Sequence, residues 1–389
     1  MRTQVCIIGG GPSGLLLARL LSLSGVSVVV IERQTRAYVL SRIRAGVLEW
    51  GAVEMMRQAK AAARMDAQGF PHDGCTIALG GKEMRIDFAK LTGQRVMVYG
   101  QTEVTHDLYD ALDAGGVEIL HEVSDVEIHD IDGNSPYVNF KHGGSAMRID
   151  CDFVAGCDGF HGVSRGTIPR AVHKEYEKVY PFGWLGILSE TPPVSHELIY
   201  SGGERGFALA SMRNANLSRY YIQVPLGQKV EDWSDDAFWN EFRRRMPEKA
   251  ADELITGPSI EKSIAPLRSF YSEPMQHGRL FLCGDAAHIV PPTGAKGLNL
   301  AFSDVKYLFD GLLQFYENGS VEQLDGYSTR ATARVLQAIR FSWWMTGILH
   351  NFPGREEFEQ LMGQAELVYL QGWEIGRRHL AEQYVGLPY

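Results

Sequence analysis

The chain has 389 residues, 45% of them apolar and 22% charged. That length accommodates two or three packed units, and so ordinary a composition excludes intrinsic disorder. The formal charge of −9 argues against nucleic acid or an acidic membrane as the main partner. Apolar runs such as Val28-Val29-Val30-Ile31 stop far short of the roughly 18 residues that a membrane span needs. Met1-Arg2-Thr3-Gln4 leads straight into an apolar strand, so no export signal is expected. Five scattered cysteines (Cys6, Cys75, Cys151, Cys157, Cys283), without CxxC or metal-type spacing, suit a cytoplasmic protein with buried thiols and no metal site.

The first 32 residues read as one βαβ unit: a buried strand Val5-Cys6-Ile7-Ile8, a helix carrying Leu15, Leu16, Leu17, Ala18, Leu20 and Leu21, and a strand from Val26 to Ile31. Alternation and turn signals from Tyr137 to Phe153 predict a small antiparallel section. Pro181 through Leu267 reads as mainly β, with strands near Leu198-Tyr200, Phe207-Arg213 and Tyr220-Val224 and one helix from Asp235 to Met246. Leu280-Phe281-Leu282-Cys283 is a continuous apolar run, the pattern of a strand buried on both faces. From about Leu298 the pattern is helical.

Gly9, Gly11 and Gly14 form GxGxxG between the first strand and the first helix. There the first glycine permits a tight turn, the second lets backbone approach a pyrophosphate, and the third allows close helix–strand packing. The helix start, with Ser13 inside it, offers free N–H groups to phosphates. Glu32 closes the second strand 21 residues after Gly11, where a carboxylate takes ribose hydroxyls. These residues predict a bound dinucleotide.

Two further motifs bear on which one: Gly156-Cys157-Asp158-Gly159-Phe160-His161-Gly162-Val163-Ser164-Arg165, and Gly284-Asp285-Ala286-Ala287-His288 directly after a buried strand. Either alone also suits a strand-to-turn junction with a capping aspartate. Together and in this order they resemble the Asp-Gly and Gly-Asp motifs of the single-component flavoprotein aromatic hydroxylases. Arg33-Gln34 with Tyr38, Arg42 through Glu49, Val98 through Val104, Arg340 through Met345 and the terminal Tyr384-Val385-Gly386-Leu387-Pro388-Tyr389 are similar to the branch of that family that acts on 4-hydroxybenzoate. The similarity runs over essentially the whole chain.

The resemblance implies an α/β FAD-binding dinucleotide fold with an inserted β-rich substrate domain and a C-terminal helical segment. The expected divisions are 1–179 and 268–345 for the FAD-binding domain, 180–267 for the substrate domain, and 346–389 for a helical segment at a homodimer interface. It implies FAD bound by Gly9, Gly11, Ser13, Gly14, Glu32, Arg33, Arg42, Arg44, Gln101, Asp158, Gly159, Asp285, Leu298 and Asn299. It implies an NADPH co-substrate, with NADH as the alternative, met by Arg33, Gln34, Tyr38, Arg42, Arg44, His161, Arg165 and Arg268. Arg36-Ala37, where relatives often carry Pro-Asp, adds positive charge near the expected 2′-phosphate and favours NADPH.

Phe207, Leu209, Ser211 and Arg213 alternate on one face of their strand, which turns from apolar to a hydroxyl and a guanidinium. That is the composition of a ring pocket closing on a carboxylate, and Arg can hold a carboxylate through two parallel hydrogen bonds. By itself Arg213 also suits an exposed strand position, and Tyr200 and Tyr384 suit a core. The resemblance implies the sharper roles: Ser211, Arg213 and Tyr221 bind the benzoate carboxylate, while Tyr200 and Tyr384 meet the 4-hydroxyl as a proton relay running outward to His72, placed in a loop after Pro71. Pro292, in the stretch Pro291 through Leu300, lies where substrate and flavin meet; Asn299 bonds the isoalloxazine ring; Lys296 adds positive potential. The implied reaction is hydroxylation of 4-hydroxybenzoate to 3,4-dihydroxybenzoate with NADPH and O₂ through a flavin 4a-hydroperoxide. The Ser211/Arg213 pair speaks against a relative acting on another ring. The absence of a WxWxIP segment around Trp343-Trp344 speaks against a halogenase. A non-enzymatic carrier on the same fold would dispense with the flavin contacts.

Overall fold

The computed structural model describes residues 1–42, 46–80, 82–354 and 357–389. Val5–Ile8 runs through the middle of a six-stranded sheet, paired in parallel with Phe153–Gly156 on one side and Val28–Ile31 on the other. Leu280–Leu282 and Glu118–Leu120 extend the parallel set, and the short antiparallel Gln276–His277 closes one edge. Both faces of a parallel sheet are covered, which is why these strands are continuous apolar runs. The helices Pro12–Leu23, Gln101–Ala114 and Gly297–Asn318 pack with this sheet in one hydrophobic core. Ser124–His129, Tyr137–His142 and Ser145–Asp150 form the small antiparallel section expected from the sequence, with one strand more.

The second large sheet has eight strands in the order His288–Ile289, Ser259–Glu273, Lys174–Ser189, Leu217–Pro225, Ala208–Asn214, Ile199–Gly202, Gly74–Leu79 and Lys82–Asp87. Its last two strands come from the N-terminal third of the chain. The divisions read at 179/180 and 267/268 fall inside Lys174–Ser189 and Ser259–Glu273, two long strands that pair antiparallel and link both sheets' cores.

A period of two sorts this sheet's side chains to two buried faces. Leu185, Ile187, Ile199, Ala208, Ala210 and Ile222 pack against Phe238, Trp239 and Phe242 of the helix Asp235–Arg245. Trp184, Tyr200, Phe207 and Leu209 face the opposite way, toward Phe341, Met345 and Leu349 of the helix Tyr327–Leu349 and Leu380 and Tyr384 of the helix Glu374–Val385. That second face holds the site.

His72 is not in a loop. It ends a short strand, Phe70–His72, at the edge of a three-stranded sheet with Val96–Val98 and Val47–Leu48, and it is fully buried. Pro71 is tolerated because an edge strand has backbone N–H positions that need no partner. All five cysteines are buried and unpaired. Among the described residues no helix is long and apolar enough to cross a membrane, and no cluster of three or more His, Cys, Asp or Glu could hold a metal ion.

Candidate active site

The GxGxxG turn has the geometry a dinucleotide requires. Gly9 adopts φ +113°, and a Cβ there would lie 2.2 Å from the Cys157 carbonyl oxygen. A Cβ at Gly14 would lie 2.0 Å from the Gly9 carbonyl oxygen, so helix and strand are in contact. Gly11 instead faces open space, next to a helix start that has no side-chain cap and no acidic residue in its first turn. Those unsatisfied N–H groups are an anion site. Glu32 is buried and accepts from the backbone N–H groups of Gly10 (2.6 Å) and Gln34 (2.8 Å). A carboxylate has acceptor capacity left for a ribose diol.

The Asp-Gly and Gly-Asp motifs are tied together by protein groups. Asp158 accepts from the N–H and hydroxyl of Ser164, both at 2.9 Å, while its other oxygen is buried without a partner; burial raises its carboxyl above the usual range. Gly159 has φ +71°, and a Cβ at Gly162 would collide with the Asp158 carboxylate. Arg165 spends all three nitrogens on Glu175, the Ala286 carbonyl and the Phe160 carbonyl. It therefore clamps one motif to the other rather than presenting a free guanidinium to a coenzyme. A buried pair completes the junction: Asp304 accepts from Gly284 N–H (2.8 Å) and His288 Nε2 (2.6 Å). Burial opposes a charge on His288, and Asp304 overcomes it, raising the imidazole. Asp285 is exposed at the rim of this junction.

A second uncapped helix start, at Gly297–Asn318, also lacks acidic residues in its first turn. The N–H groups there belong to Gly297, Leu298 and Asn299. The Asn299 amide itself is committed to protein: it accepts from Glu49 N–H (2.8 Å) and donates to the Val47 and Ala295 carbonyls. What this residue offers a flavin ring is backbone. Lys296 is buried, donating to Glu49 at 2.6 Å and to the Tyr384 carbonyl at 2.9 Å, while Arg334 takes the other Glu49 oxygen at 2.7 Å. Burial holds Lys296 below its ordinary value, opposed by Glu49.

The coenzyme set falls into two groups. Arg33, Gln34, Tyr38 and Arg42 line an open stretch around the helix Arg36–Ser41, with Arg42 over the Tyr38 ring at 5.6 Å. Among the described residues neither Arg33 nor Arg42 forms an ion pair. Arg36 lies over the Tyr109 ring and pairs at the surface with Asp113 (2.5 Å) and Asp110 (3.4 Å). His161 is exposed, and Arg268 lies over Phe160 and bonds Glu177 at 3.1 Å. Arg44 lies outside the described residues. Gln101 opens the helix Gln101–Ala114, half-buried.

The candidate substrate face is a row across four strands: Gly186, Tyr221, Leu209 and Tyr200 stand opposite one another in register. A Cβ at Gly186 would lie 2.6 Å from the Tyr221 ring, so the glycine seats that ring. Tyr200 and Tyr384, 184 residues apart, share a 2.6 Å hydrogen bond between their hydroxyls. The Tyr200 hydroxyl also faces the backbone of Gly294, two residues past the exposed Pro292. Burial raises both phenols, so both are neutral near pH 7.

At the other end Arg213 sits where the ladder shifts register between Met212 and Asn214. Its Nε is buried without a partner, and it forms no ion pair among the described residues. Burial lowers its pKa, and the Tyr221 hydroxyl beside it opposes the shift. Neighbouring Arg219 is balanced by Glu261, whereas half-buried Arg213 donates to the Met212 carbonyl at 3.0 Å and pairs with no carboxylate among the described residues. Ser211 donates to the Arg219 carbonyl at 2.6 Å, so its hydroxyl must turn to reach a ligand.

Sequence reasoning did not find the wall behind this row. Trp184 stacks on Phe207 at 4.7 Å and lies 5.2 Å from Tyr221, and its indole N–H donates to His350 Nε2 at 2.7 Å. His350 stacks on Phe207 at 4.3 Å and on Phe182 at 4.8 Å. Indole only donates, so the His350 proton is on Nδ1, facing the Thr346 carbonyl. Burial lowers His350 to about 3 and, with the charge of His196, lowers His72 to about 4.

Residues 2–342 match the model of the FAD binding domain family. The chain belongs to that family. It is 54% identical to the p-hydroxybenzoate hydroxylase of Acinetobacter baylyi, over 100% of this chain and 96% of that protein. It is 26% identical to the para-nitrophenol 4-monooxygenase of a Pseudomonas species, over 83% and 81% of the two chains. The solved structure of p-nitrophenol 4-monooxygenase from Pseudomonas putida superposes with a TM-score of 0.85 at 18% identity, covering 100% of both chains, which shows the shared fold. FAD is therefore the dinucleotide of the glycine turn, with NAD(P)H as co-substrate, and the two uncapped helix starts and Glu32 fit it. The chain is an FAD-dependent monooxygenase.

The two buried histidines make stability pH-dependent. Free imidazole titrates near 6.5, whereas the native fold holds His72 near 4 and His350 near 3. Below about pH 6.5 the unfolded chain therefore takes up protons that the fold refuses, so this contribution is complete above 6.5 and is lost as pH falls toward those values. Each histidine adds a slope of about 1.4 kcal/mol per pH unit. Urea unfolding of the holoprotein between pH 6.5 and 4 should show this loss, and His350→Gln should flatten it; an unchanged slope in the variant contradicts the assignment.

Proposed function

We propose that this protein hydroxylates 4-hydroxybenzoate at the 3-position, converting it with NADPH, a proton and O₂ into 3,4-dihydroxybenzoate, NADP⁺ and water. FAD held by the glycine turn and Glu32 would supply the hydride acceptance and O₂ activation, so the hard chemistry would be the cofactor's. The observation that carries the substrate reading is the Arg213 guanidinium beside the Tyr221 hydroxyl, without a carboxylate partner among the described residues, on a sheet whose row from Tyr221 through Leu209 ends at the Tyr200–Tyr384 hydroxyl pair. One end takes a carboxylate and the other a phenol, with Leu209 and Tyr221 beneath the ring.

Arg213 and the Tyr221 hydroxyl hold the carboxylate, and Ser211 joins by rotating its hydroxyl. Tyr200 receives the phenol proton and passes its own to Tyr384, leaving an electron-rich phenolate. The aromatic wall of Phe207, Trp184 and His350 keeps water out, so the proton leaves along hydroxyls and the pocket stays closed. The relay ends at His72. Pro292 lies at the flavin side of the ring, and the positive N-termini near Leu298 and Gly11 favour the anionic forms of the cofactor. Arg33 and Arg42 support NADPH over NADH as the hydride source. The unpaired buried thiols support a cytoplasmic setting.

The helix Glu357–Gly372 exposes Phe358 (66%), Leu361 (51%), Met362 (49%) and Val368 (55%), and Trp373 (55%) and Ile375 (67%) follow directly. Phe358, Leu361, Met362 and Val368, three, four and ten residues from the first, share one side of this helix, an apolar face that suits a second copy of the chain. Light scattering should give twice the 43.3 kDa chain mass and Val368→Glu should halve it; a monomeric parent protein contradicts the homodimer.

The clamp is tested by titrating the holoenzyme with 4-hydroxybenzoate and following the flavin absorbance. Arg213→Ala should weaken binding by about 100-fold, the scale of losing hydrogen bonds between charged groups. Arg213→Lys should recover only part, because a point charge cannot reproduce the fork. Unchanged affinity in both variants removes the carboxylate clamp.

A further inference from the structure

Three parts of the chain meet behind the pocket through one line of hydrogen bonds. Trp184 belongs to the strand Lys174–Ser189, His350 follows the helix Tyr327–Leu349, and Thr293 lies in the turn before the helix Gly297–Asn318. The Trp184 indole N–H donates to His350 Nε2 at 2.7 Å, and His350 Nδ1 meets the Thr346 carbonyl at 3.1 Å. The Thr346 hydroxyl bonds the Thr293 hydroxyl at 3.0 Å. All four residues are buried, so water does not compete for these bonds. Thr346 also bonds the Ser342 carbonyl one turn back, at 2.7 Å, a contact that fixes a threonine rotamer in a helix.

The two ends of this line belong to opposite ends of the pocket. At one end Trp184 lies 5.2 Å from the Tyr221 ring, whose hydroxyl stands beside Arg213. At the other end the Ala295 N–H donates to the Pro292 carbonyl at 2.9 Å, closing a turn whose third residue, Gly294, has φ +86°. A positive φ at that position is type II geometry, which glycine serves. A Cβ on Gly294 would lie 2.8 Å from the Phe341 ring and 3.3 Å from Met345 Sδ, so the helix that carries Thr346 also backs the turn. The Tyr200 hydroxyl faces the Gly294 backbone. Thr293 thus stands between Pro292 and the residue that meets Tyr200.

Resting on the hydroxylase reading above, we propose that Thr346 is a positioning residue for oxygen transfer. Its hydroxyl holds the Pro292–Ala295 turn through Thr293, and its carbonyl anchors the aromatic wall through His350. It acts by fixing the turn relative to the wall, and so the substrate ring relative to the flavin side of the pocket. Reaction at a bound ring is sensitive to displacements of about 1 Å. The carboxylate grip of Arg213 does not pass through this line. When transfer to the ring is missed, NADPH, a proton and O₂ give NADP⁺ and hydrogen peroxide, a balance that leaves the aromatic compound unchanged.

The test gives holoenzyme variants saturating 4-hydroxybenzoate and NADPH in air and measures 3,4-dihydroxybenzoate and hydrogen peroxide formed. Thr346→Val keeps the side chain's shape and the carbonyl bond to His350 and removes the hydroxyl. It should raise the ratio of peroxide to product about fivefold, the scale of one net hydrogen bond, with flavin content and substrate affinity unchanged. Thr346→Ser should return the parent ratio. Thr293→Val should match Thr346→Val, and the double variant should be no worse than either, because both changes break one contact. The parent ratio in Thr346→Val, a rise that Thr346→Ser does not reverse, or effects that add in the double variant overturn the proposal. A parent protein that forms no 3,4-dihydroxybenzoate overturns the hydroxylase reading itself, and this proposal with it.

Discussion

Glu49 is a buried carboxylate on which three distant parts of the chain converge. It receives Lys296 from the loop before one helix and Arg334 from the middle of another, and its own N–H is capped by Asn299. The terminal segment closes over it: Gly386 passes so near that a Cβ would lie 2.1 Å from the carboxylate, and Arg334 donates to the Leu387 and Pro388 carbonyls. Lys296 also holds the Tyr384 carbonyl. Removing one member of such a buried cluster leaves a charge without a partner, at a cost of about 3–5 kcal/mol. The cluster carries two cations and one anion, so it leaves net positive charge behind the helix start that faces the flavin side of the pocket.

This arrangement holds Tyr384 against Tyr200 from the far end of the sequence. Tyr384 belongs to the helix Glu374–Val385, yet its hydroxyl must meet Tyr200, which the eight-stranded sheet fixes in place. Phe88 stacks on the Tyr384 ring at 4.7 Å, and the Lys296 contact holds its backbone. The pocket is thereby organised by charge along its length. Arg213 is without a carboxylate partner among the described residues, the Tyr200 and Tyr384 hydroxyls pair with each other, and the rings of Trp184, Phe207 and His350 stack behind the face they share with Tyr221. The proposed substrate, with a carboxylate and a phenol on opposite sides of one ring, would satisfy both groups at once.

Features set by neighbouring residues were legible in the sequence. The glycine turn, the first βαβ unit and the apolar strand at Leu280 follow from local sterics and period, and each stands where it was read. The alternation holds from Phe207 to Ala210 and then breaks, since Met212 joins the cluster of Phe207 and Leu209 next to the register shift. Contacts made across the fold were not legible. Nothing local pairs Tyr200 with Tyr384 or assembles Glu49, Lys296 and Arg334. The one available signal was Lys296 itself, since a lysine in a loop that lies against a ring demands a carboxylate once buried. The protein partners of Arg36 and Arg165 were hidden for the same reason: Asp110 and Asp113 pair with the first, and Glu175 and the Ala286 and Phe160 carbonyls bond the second. Pro71 suggested a loop because the edge position that tolerates it depends on which strands pair.

The central claim is that this pocket activates a para-hydroxylated benzoate for oxygen transfer. The most direct measurement is NADPH oxidation by the holoprotein in air, before and after adding 4-hydroxybenzoate, with the aromatic product identified. The account predicts a steep rise in oxidation and one 3,4-dihydroxybenzoate formed per NADPH consumed. No rise, or a rise that yields only hydrogen peroxide, would contradict it.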